Sequence, residues 1–230
     1  MKTSLAVKPE LLRRVPLFST LSDAEFKNLE HLFLVRTYRK NQLIFLEEDT
    51  GHYMYIVVAG KVKVTKATDS GKESLLAIHQ AGDFFGEMAL LDGKTSPATV
   101  SAMEDCKLVS ITSADFHGLL MHNEKVVRQI IQVLCARLRH AWGQLQGLSY
   151  STAEERIRGG LLQLSRRHGV VDARGVIINL RITHQELAEM VGTARETVTR
   201  TLATLQRAGI IQIEQRRIIV RNPSALLAKD

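Results

Sequence analysis

"THQELAEMVGTARETVTRTLATLQRAGII", residues 183–211, decides the fold. Thr183 followed three residues later by Glu186 is the pair in which a threonine side chain accepts an amide of the first helical turn and the glutamate returns to the threonine's own amide. It predicts a helix over "HQELAEMV" that stops at Gly192, the residue able to enter the left-handed region at least cost. Thr193 and Glu196 repeat the pattern, so a second helix is expected over "ARETVTRTLATLQRA", ending at Gly209. Two helices joined by a glycine turn form a helix-turn-helix, with Leu187, Ala188, Val191, Val198, Leu202 and Leu205 left for its core. "IIQIEQRRIIV" then alternates as a hairpin with Gln215 and Arg216 at its tip, the pattern of a wing.

In such a motif the exposed residues near the start of the second helix reach base edges in the major groove. Here these are Arg195, Glu196, Thr199 and Arg200, which share one face away from Val198 and Leu202. Arginine bonds guanine O6 and N7 bidentately, glutamate accepts from cytosine N4, and threonine touches a thymine methyl. Glu196 is assigned two duties by this reading, base contact and capping. Thr183, Thr193, Arg216 and Arg217 are the candidates for phosphate contacts, which position a module without reading sequence.

Charge agrees with that placement. Of the formal net charge of +7, residues 151–230 carry +5, from 13 Lys and Arg against 8 Asp and Glu, and 12 of the 13 are arginine. Arginine's planar fork suits phosphate and guanine, so double-stranded DNA is the expected partner.

Upstream, "STAEERI" offers Ser151 and Glu154 as a cap for a helix reaching His168–Gly169. Residues 124 to about 148 place Val126, Val127, Ile130, Ile131, Leu134, Leu138, Trp142 and Leu145 at steps of three and four, which predicts an amphipathic helix about 35 Å long. A sustained apolar stripe at a domain junction pairs readily with its own copy, so a two-fold dimer is expected. From about Tyr38 to Phe116, short β-branched and aromatic runs alternate with turn signals at Asp49–Gly51, Gly60–Lys61, Asp69–Gly71, Ala81–Asp83 and Asp92–Gly93. That spacing predicts an antiparallel barrel or double-sheet jelly roll. Residues 9–35 have helical periodicity around a Ser22 cap. The fold class is therefore α+β, with a barrel at 1–120, a dimerisation helix at 121–150 and a winged helix-turn-helix at 151–230.

The order of these parts resembles the family of the cyclic-AMP receptor protein and the fumarate–nitrate regulator (Crp/Fnr). "GDFFGEMALLDG" (residues 82–93), "YIVVAGKVKV" (residues 55–64) and residues 183–211 carry the resemblance. It implies a cyclic-nucleotide-binding-type sensor barrel, a palindromic operator with half-sites near TGTGA, and RNA polymerase as a further partner. By resemblance Arg195, Glu196 and Arg200 match the base-reading positions, with Thr199 where some members use serine.

The family's nucleotide loop reads glycine–glutamate and then arginine–serine–alanine. Gly86, Glu87 and Ala98 match it, Met88 follows the glutamate, and Ser96 and Pro97 stand where arginine and serine are expected. The first departure removes a charge-assisted contact and the second a backbone donor. At about 1.5–3 kcal/mol for each hydrogen bond to a charged group, affinity for a cyclic nucleotide falls by about two decades or more. Ala141 and Trp142 replace the threonine–serine pair that holds adenine in the cyclic-AMP receptor. The expected effector pocket is thus Gly86, Glu87, Met88, Ser96, Pro97, Ala98, Ala141 and Trp142. Cyclic AMP in its usual pose is disfavoured; a cyclic dinucleotide or another anion, with Lys94 as its cation, stays open, as does a Glu87 bonded to local amides.

Other classes are disfavoured. Two cysteines, Cys106 and Cys135, cannot form a four-cysteine zinc or iron–sulfur site, and they read as buried thiols. The eight histidines show neither haem-ligand spacing nor a cupin-type H-x-H pair, so no metal, no cofactor and no enzymatic role are expected. Without a long apolar run or a signal core, the reading is a cytoplasmic protein with no membrane partner.

Overall fold

The computed structural model describes residues 12–13, 15–67, 73–150 and 152–227. The expectations that fall on Leu11, the Asp69–Gly71 turn and Ser151 lie outside the described residues. The chain divides into two compact units, residues 1–139 and 140–230.

Among the described residues of the expected helical stretch, Leu12 and Arg13 are helical and short pieces follow them. Single 3₁₀ turns at Pro16–Phe18 and Glu30–Leu32 flank α1 (Asp23–Lys27). Ser22 caps α1 as expected, in a capping box with Glu25. The apolar residues of this stretch follow no single helical face because they wrap one point, the contact of Phe26 with Phe18 and Phe33, whose ring centroids lie 5.9 Å away in both cases.

The strands follow: β1 (Leu34–Tyr38), β2 (Leu43–Phe45), β3 (Tyr53–Ala59), β4 (Lys61–Ala67), β5 (Glu73–Gln80) and β6 (Phe84–Phe85). After α2 (Glu87–Asp92) come β7 (Thr99–Ala102) and β8 (Cys106–Thr112), then α3 (Ser113–Gly118). Strand structure thus begins at Leu34, earlier than the expected Tyr38. The strands form two antiparallel four-stranded sheets, β1-β8-β3-β6 and β2-β7-β4-β5, which is the expected double-sheet jelly roll.

Period-two alternation fixes how the sheets pack. Along β3, Tyr55 and Val57 point into the barrel, where they meet Val62 and Val100 of the other sheet. Met54 and Ile56 point the other way, onto a second core built with Phe18, Phe26, Phe116, Val126 and Ile130. Val126 and Ile130 belong to α4 (Glu124–Tyr150), so the start of this helix is anchored on the outer face of the barrel. Cys106 is buried in the barrel, and burial pushes its thiol pKa up. Cys135 is exposed, a correction to the expected pair of buried thiols: on α4 it lies on the face opposite Val126, Ile130 and Arg137, which meet the barrel.

In the second unit, α5 (Ala153–His168) is followed by a hairpin of β9 (Gly169–Asp172) and β10 (Gly175–Ile178). Then come α6 (His184–Val191), α7 (Arg195–Arg207) and a hairpin of β11 (Ile211–Glu214) and β12 (Arg217–Val220). β10 pairs with β12, so the wing belongs to a four-stranded sheet in the order β11-β12-β10-β9. The cap of α5 is Thr152 with Glu155, one residue beyond the expected Ser151 and Glu154; Glu154 instead pairs with Arg158 at 3.0 Å. Thr183 and Glu186 form their box, and Gly192 ends α6 at φ 65°. The second expected box is absent: α7 starts from Ala194 without a side-chain cap, because the Thr193 amide closes the preceding turn on the Ala188 carbonyl at 3.0 Å.

All six residues assigned to the helix-turn-helix core are buried. α5 approaches α6 closely at Gly160, where a Cβ would stand 2.6 Å from Cγ1 of Val191. Among the described residues no helix is long and apolar enough to cross a membrane. Leu202→Ala should cost about 2–5 kcal/mol. Hydrogen exchange should show amide protection falling in α5–α7 and the wing while the barrel keeps its own; equal loss in both would contradict separate cores.

Candidate functional site

α7 buries Val198, Thr201, Leu202 and Leu205 and leaves Arg195, Glu196, Thr199 and Arg200 exposed. Because no capping box forms at Thr193, Glu196 is released from the second duty that the sequence assigns it. Among the described residues the side chains of Arg195, Glu196, Arg200, Arg216 and Arg217 make no hydrogen bond or ion pair. Thr199 is engaged: its hydroxyl donates to the Arg195 carbonyl at 3.0 Å and lies 2.9 Å from Nδ1 of His184 on α6.

The turn that sets the angle of α7 is held by a residue the sequence reading did not single out. Arg156 of α5 donates from Nε to the Val191 carbonyl and from Nη2 to the Gly192 carbonyl, both at 2.9 Å. It satisfies carbonyls that the end of α6 leaves without helical partners.

At the wing, Gln215 and Arg216 form the tip with φ values of 46° and 63°, and both are exposed. Two adjacent non-glycine residues in the left-handed region are costly, about 1–2 kcal/mol each. Arg174, in the β9–β10 turn, is neutralised by Asp172 at 2.7 Å and Glu214 at 2.9 Å. The hydrogen bonds from Arg174 hold the Asp172 carboxyl below its ordinary pKa, and the Asp172 bond raises that of Arg174. Of the phosphate candidates, Thr183 has its hydroxyl committed to Glu186, donating to Oε2 at 2.9 Å and accepting the amide at 3.1 Å. Thr193 is half-buried in the turn.

In the first unit Gly86, Glu87, Met88, Ser96, Pro97 and Ala98 line one cavity of about 80 Å³, together with Phe45, Val64, His79, Phe85, Ala89, Val100 and Arg137. Gly86 adopts φ 82°, and a Cβ there would stand 2.8 Å from the Tyr53 carbonyl oxygen, so glycine is required at the entry to α2. His79 stacks on Phe85 at 5.7 Å and Phe85 on Tyr55 at 5.3 Å, which fills the barrel interior with flat rings. Burial raises the Tyr55 phenol pKa above its ordinary range.

Glu87 is 1% exposed, and its partner is Arg137, whose Nη1 donates to Oε1 at 2.7 Å; the expected local backbone amides do not supply the bond. Arg137 also donates to the Phe84 carbonyl and lies 5.0 Å from the Phe84 ring centroid. It stands 50 residues away in sequence among several cations of the "ARLRH" stretch, so nothing local marks it. The Ser96–Pro97 segment is tied down from outside: the Ser96 amide donates to the Asp49 carbonyl at 2.9 Å, and Lys66 reaches the Pro97 carbonyl at 3.3 Å. Lys94 is exposed and is not among the lining residues. Ala141 and Trp142 are exposed and are not among the lining residues of this cavity. Among the described residues no group of three or more His, Cys, Asp or Glu is placed to hold a metal ion.

Two domain models match the chain. The cyclic nucleotide-binding domain model matches residues 35–123, and the Crp-like helix-turn-helix domain model matches residues 155–229. The cyclic AMP receptor protein of Thermus thermophilus is 33% identical over 211 residues, which covers 92% of this chain and 94% of the relative. The chain belongs to the Crp/Fnr family. A global nitrogen regulator of Synechococcus elongatus is 29% identical over 194 residues, 84% of this chain and 87% of its own. The structure of FixK2 from Bradyrhizobium japonicum superposes with a TM-score of 0.75 at 27% identity, covering 85% of this chain and 96% of that one. As a Crp/Fnr protein it is a DNA-binding transcription regulator: a sheet domain of cyclic-nucleotide-binding type precedes the helix-turn-helix.

The Glu87–Arg137 pair is asymmetric, with the carboxylate buried and the arginine side chain 33% exposed. Arg137→Met strands a buried charge and should cost about 3 kcal/mol, whereas Glu87→Gln, which leaves a solvated arginine, should cost about 1–2 kcal/mol. The double variant should recover part of the loss in urea unfolding. Additive losses would show that the two groups do not interact.

Proposed function

We propose that the protein acts in the cytoplasm as a homodimeric regulator on palindromic DNA with half-sites near TGTGA, and that cyclic AMP does not control it in the usual way. The observation that carries the DNA reading is the set of uncommitted charges at the start of α7. Arg195, Glu196 and Arg200 are exposed and unpaired among the described residues, and Thr199 shares their face. Unpaired arginines reach guanine edges without breaking an ion pair, whereas Arg174 would first have to leave its carboxylates. Arg216 and Arg217 are the stronger phosphate candidates; Thr183 would have to share its capping hydroxyl, and Thr193 offers less surface.

The proposed organisation is a sensor barrel at 1–120, a dimerisation helix at 121–150 and the DNA-binding domain at 151–230. Ile131 and Leu138, one heptad apart on α4, are 55% and 51% exposed, and Trp142 is 60% exposed, which supports a second copy of the helix as their cover. RNA polymerase is the further partner that a DNA-bound regulator would meet, and the proposed role is regulatory and not enzymatic.

Two features support independence from cyclic AMP. A cavity of about 80 Å³ is well below the ~300–1,000 Å³ usual for small-molecule sites. Arg137, the cation among its lining residues, is already neutralised by Glu87.

The test is fluorescence anisotropy on a TGTGA-type palindrome and a scrambled control at fixed salt, alone and with cyclic AMP or a cyclic dinucleotide. Specific binding without nucleotide, unchanged by cyclic AMP, is expected. Binding that requires cyclic AMP would overturn the second half of the proposal, and a response to the dinucleotide alone would favour a sensor for another anion. Arg200→Ala should lose about 1–3 kcal/mol and relax specificity at one guanine, while Arg216→Ala should weaken all sequences alike and flatten the salt slope by about one.

A further inference from the structure

We propose that His184 is a positioning residue for base recognition: it locks the Thr199 hydroxyl toward α6 so that the Thr199 methyl group is what meets the DNA, reading the 5-methyl of a thymine. This rests on the assignment of α7 as the recognition helix and adds to it a residue on the neighbouring helix.

The Thr199 hydroxyl lies 3.0 Å from the Arg195 carbonyl and 2.9 Å from Nδ1 of His184. A carbonyl only accepts, and a hydroxyl has a single proton to give. The proton therefore goes to Arg195, the oxygen accepts, and His184 must carry its proton on Nδ1. Both contacts are satisfied together only when Nδ1 carries a proton.

The consequence is conformational. A helical threonine divides between two rotamers because its hydroxyl can bond back to the preceding turn. Here a second bond from another helix selects one of them. With Oγ1 drawn back to Arg195 and across to α6, the other heavy substituent of Cβ, the methyl, is the part of exposed Thr199 left for a partner. A hydroxyl with both bonds filled is a poor reader of base donors and acceptors, whereas a fixed methyl is suited to the thymine methyl.

Operator DNA in which single thymines are replaced by deoxyuridine isolates that contact, since the replacement removes only the methyl. The wild-type protein should lose about fourfold in affinity per half-site at one thymine position and little at the others. Thr199→Ser keeps the hydroxyl and removes the methyl, and it should bind thymine and deoxyuridine DNA equally. His184→Phe keeps a ring without the donor, and discrimination at that position alone should fall to about twofold or less as the second rotamer returns. His184→Asn restores an N–H donor near the place of Nδ1 and should recover most of it.

Persisting discrimination in Thr199→Ser would show that the methyl is not the reader, and full discrimination in His184→Phe would show that His184 does not position it. Should His184→Phe fail to fold, His184→Leu removes the same donor without a ring, and full discrimination in it would overturn the role of His184 in the same way. A wild-type protein that binds palindrome and scrambled DNA alike would instead overturn the recognition-helix assignment itself.

Discussion

The reach of Arg156 from α5 to the carbonyls of Val191 and Gly192 is the contact on which the DNA-binding unit depends. A helix-turn-helix works only if its second helix leaves the first at a set angle, and the turn between them exposes backbone carbonyls that the helix no longer pairs. Gly192 supplies the left-handed backbone that makes the turn. The arginine then bonds both sides of its start from a third helix, which itself lies close enough for Gly160 to be obligatory against Val191. The presentation of Arg195, Glu196, Thr199 and Arg200 follows from that frame.

A second theme is how the molecule divides its charges between internal and external use. Glu87 in the barrel is buried, and a buried carboxylate persists as an anion only with a close cation and hydrogen bonds. Arg137 meets that demand, which ties α4 to the loop bearing the motif of a nucleotide site. In the second unit Arg156, Arg158 and Arg174 are likewise spent on carbonyls and carboxylates. Arg195, Arg200, Arg216 and Arg217 are left unpaired among the described residues. An arginine-rich composition says that an anion is a plausible partner; the pairing pattern says which arginines are free to meet it.

The wing tip shows the same economy in backbone terms. Gln215 and Arg216 occupy a two-residue turn that glycine or asparagine would adopt with less strain. Strain retained on an exposed hairpin, where a substitution to glycine meets no packing obstacle, fits a side chain kept for contact rather than for folding.

What could be read from the sequence alone was local in origin. The box at Thr183–Glu186, the stop at Gly192, the stripe of Leu187, Val191, Val198, Leu202 and Leu205, and the alternation of the β strands each depend on residues within a turn or two of one another, and the structure carries all of them. The readings that failed were also local, but they competed with something distant or with an equally good neighbour. Thr193 is drawn into the turn by Ala188, the α5 cap falls on Thr152 with Glu155, and residues 16–32 break into short pieces because they converge on Phe26. Arg137 under Glu87, Arg156 behind the turn and His184 beside Thr199 were not legible at all. These pairs are 50, 35 and 15 residues apart, and which cation or donor meets a given acceptor across such separations is decided by packing. Local propensity and periodicity determined the elements, and the motifs of residues 55–64, 82–93 and 183–211 carried the resemblance to the family; burial, by obliging each enclosed polar group to find a partner, decided which side chains meet.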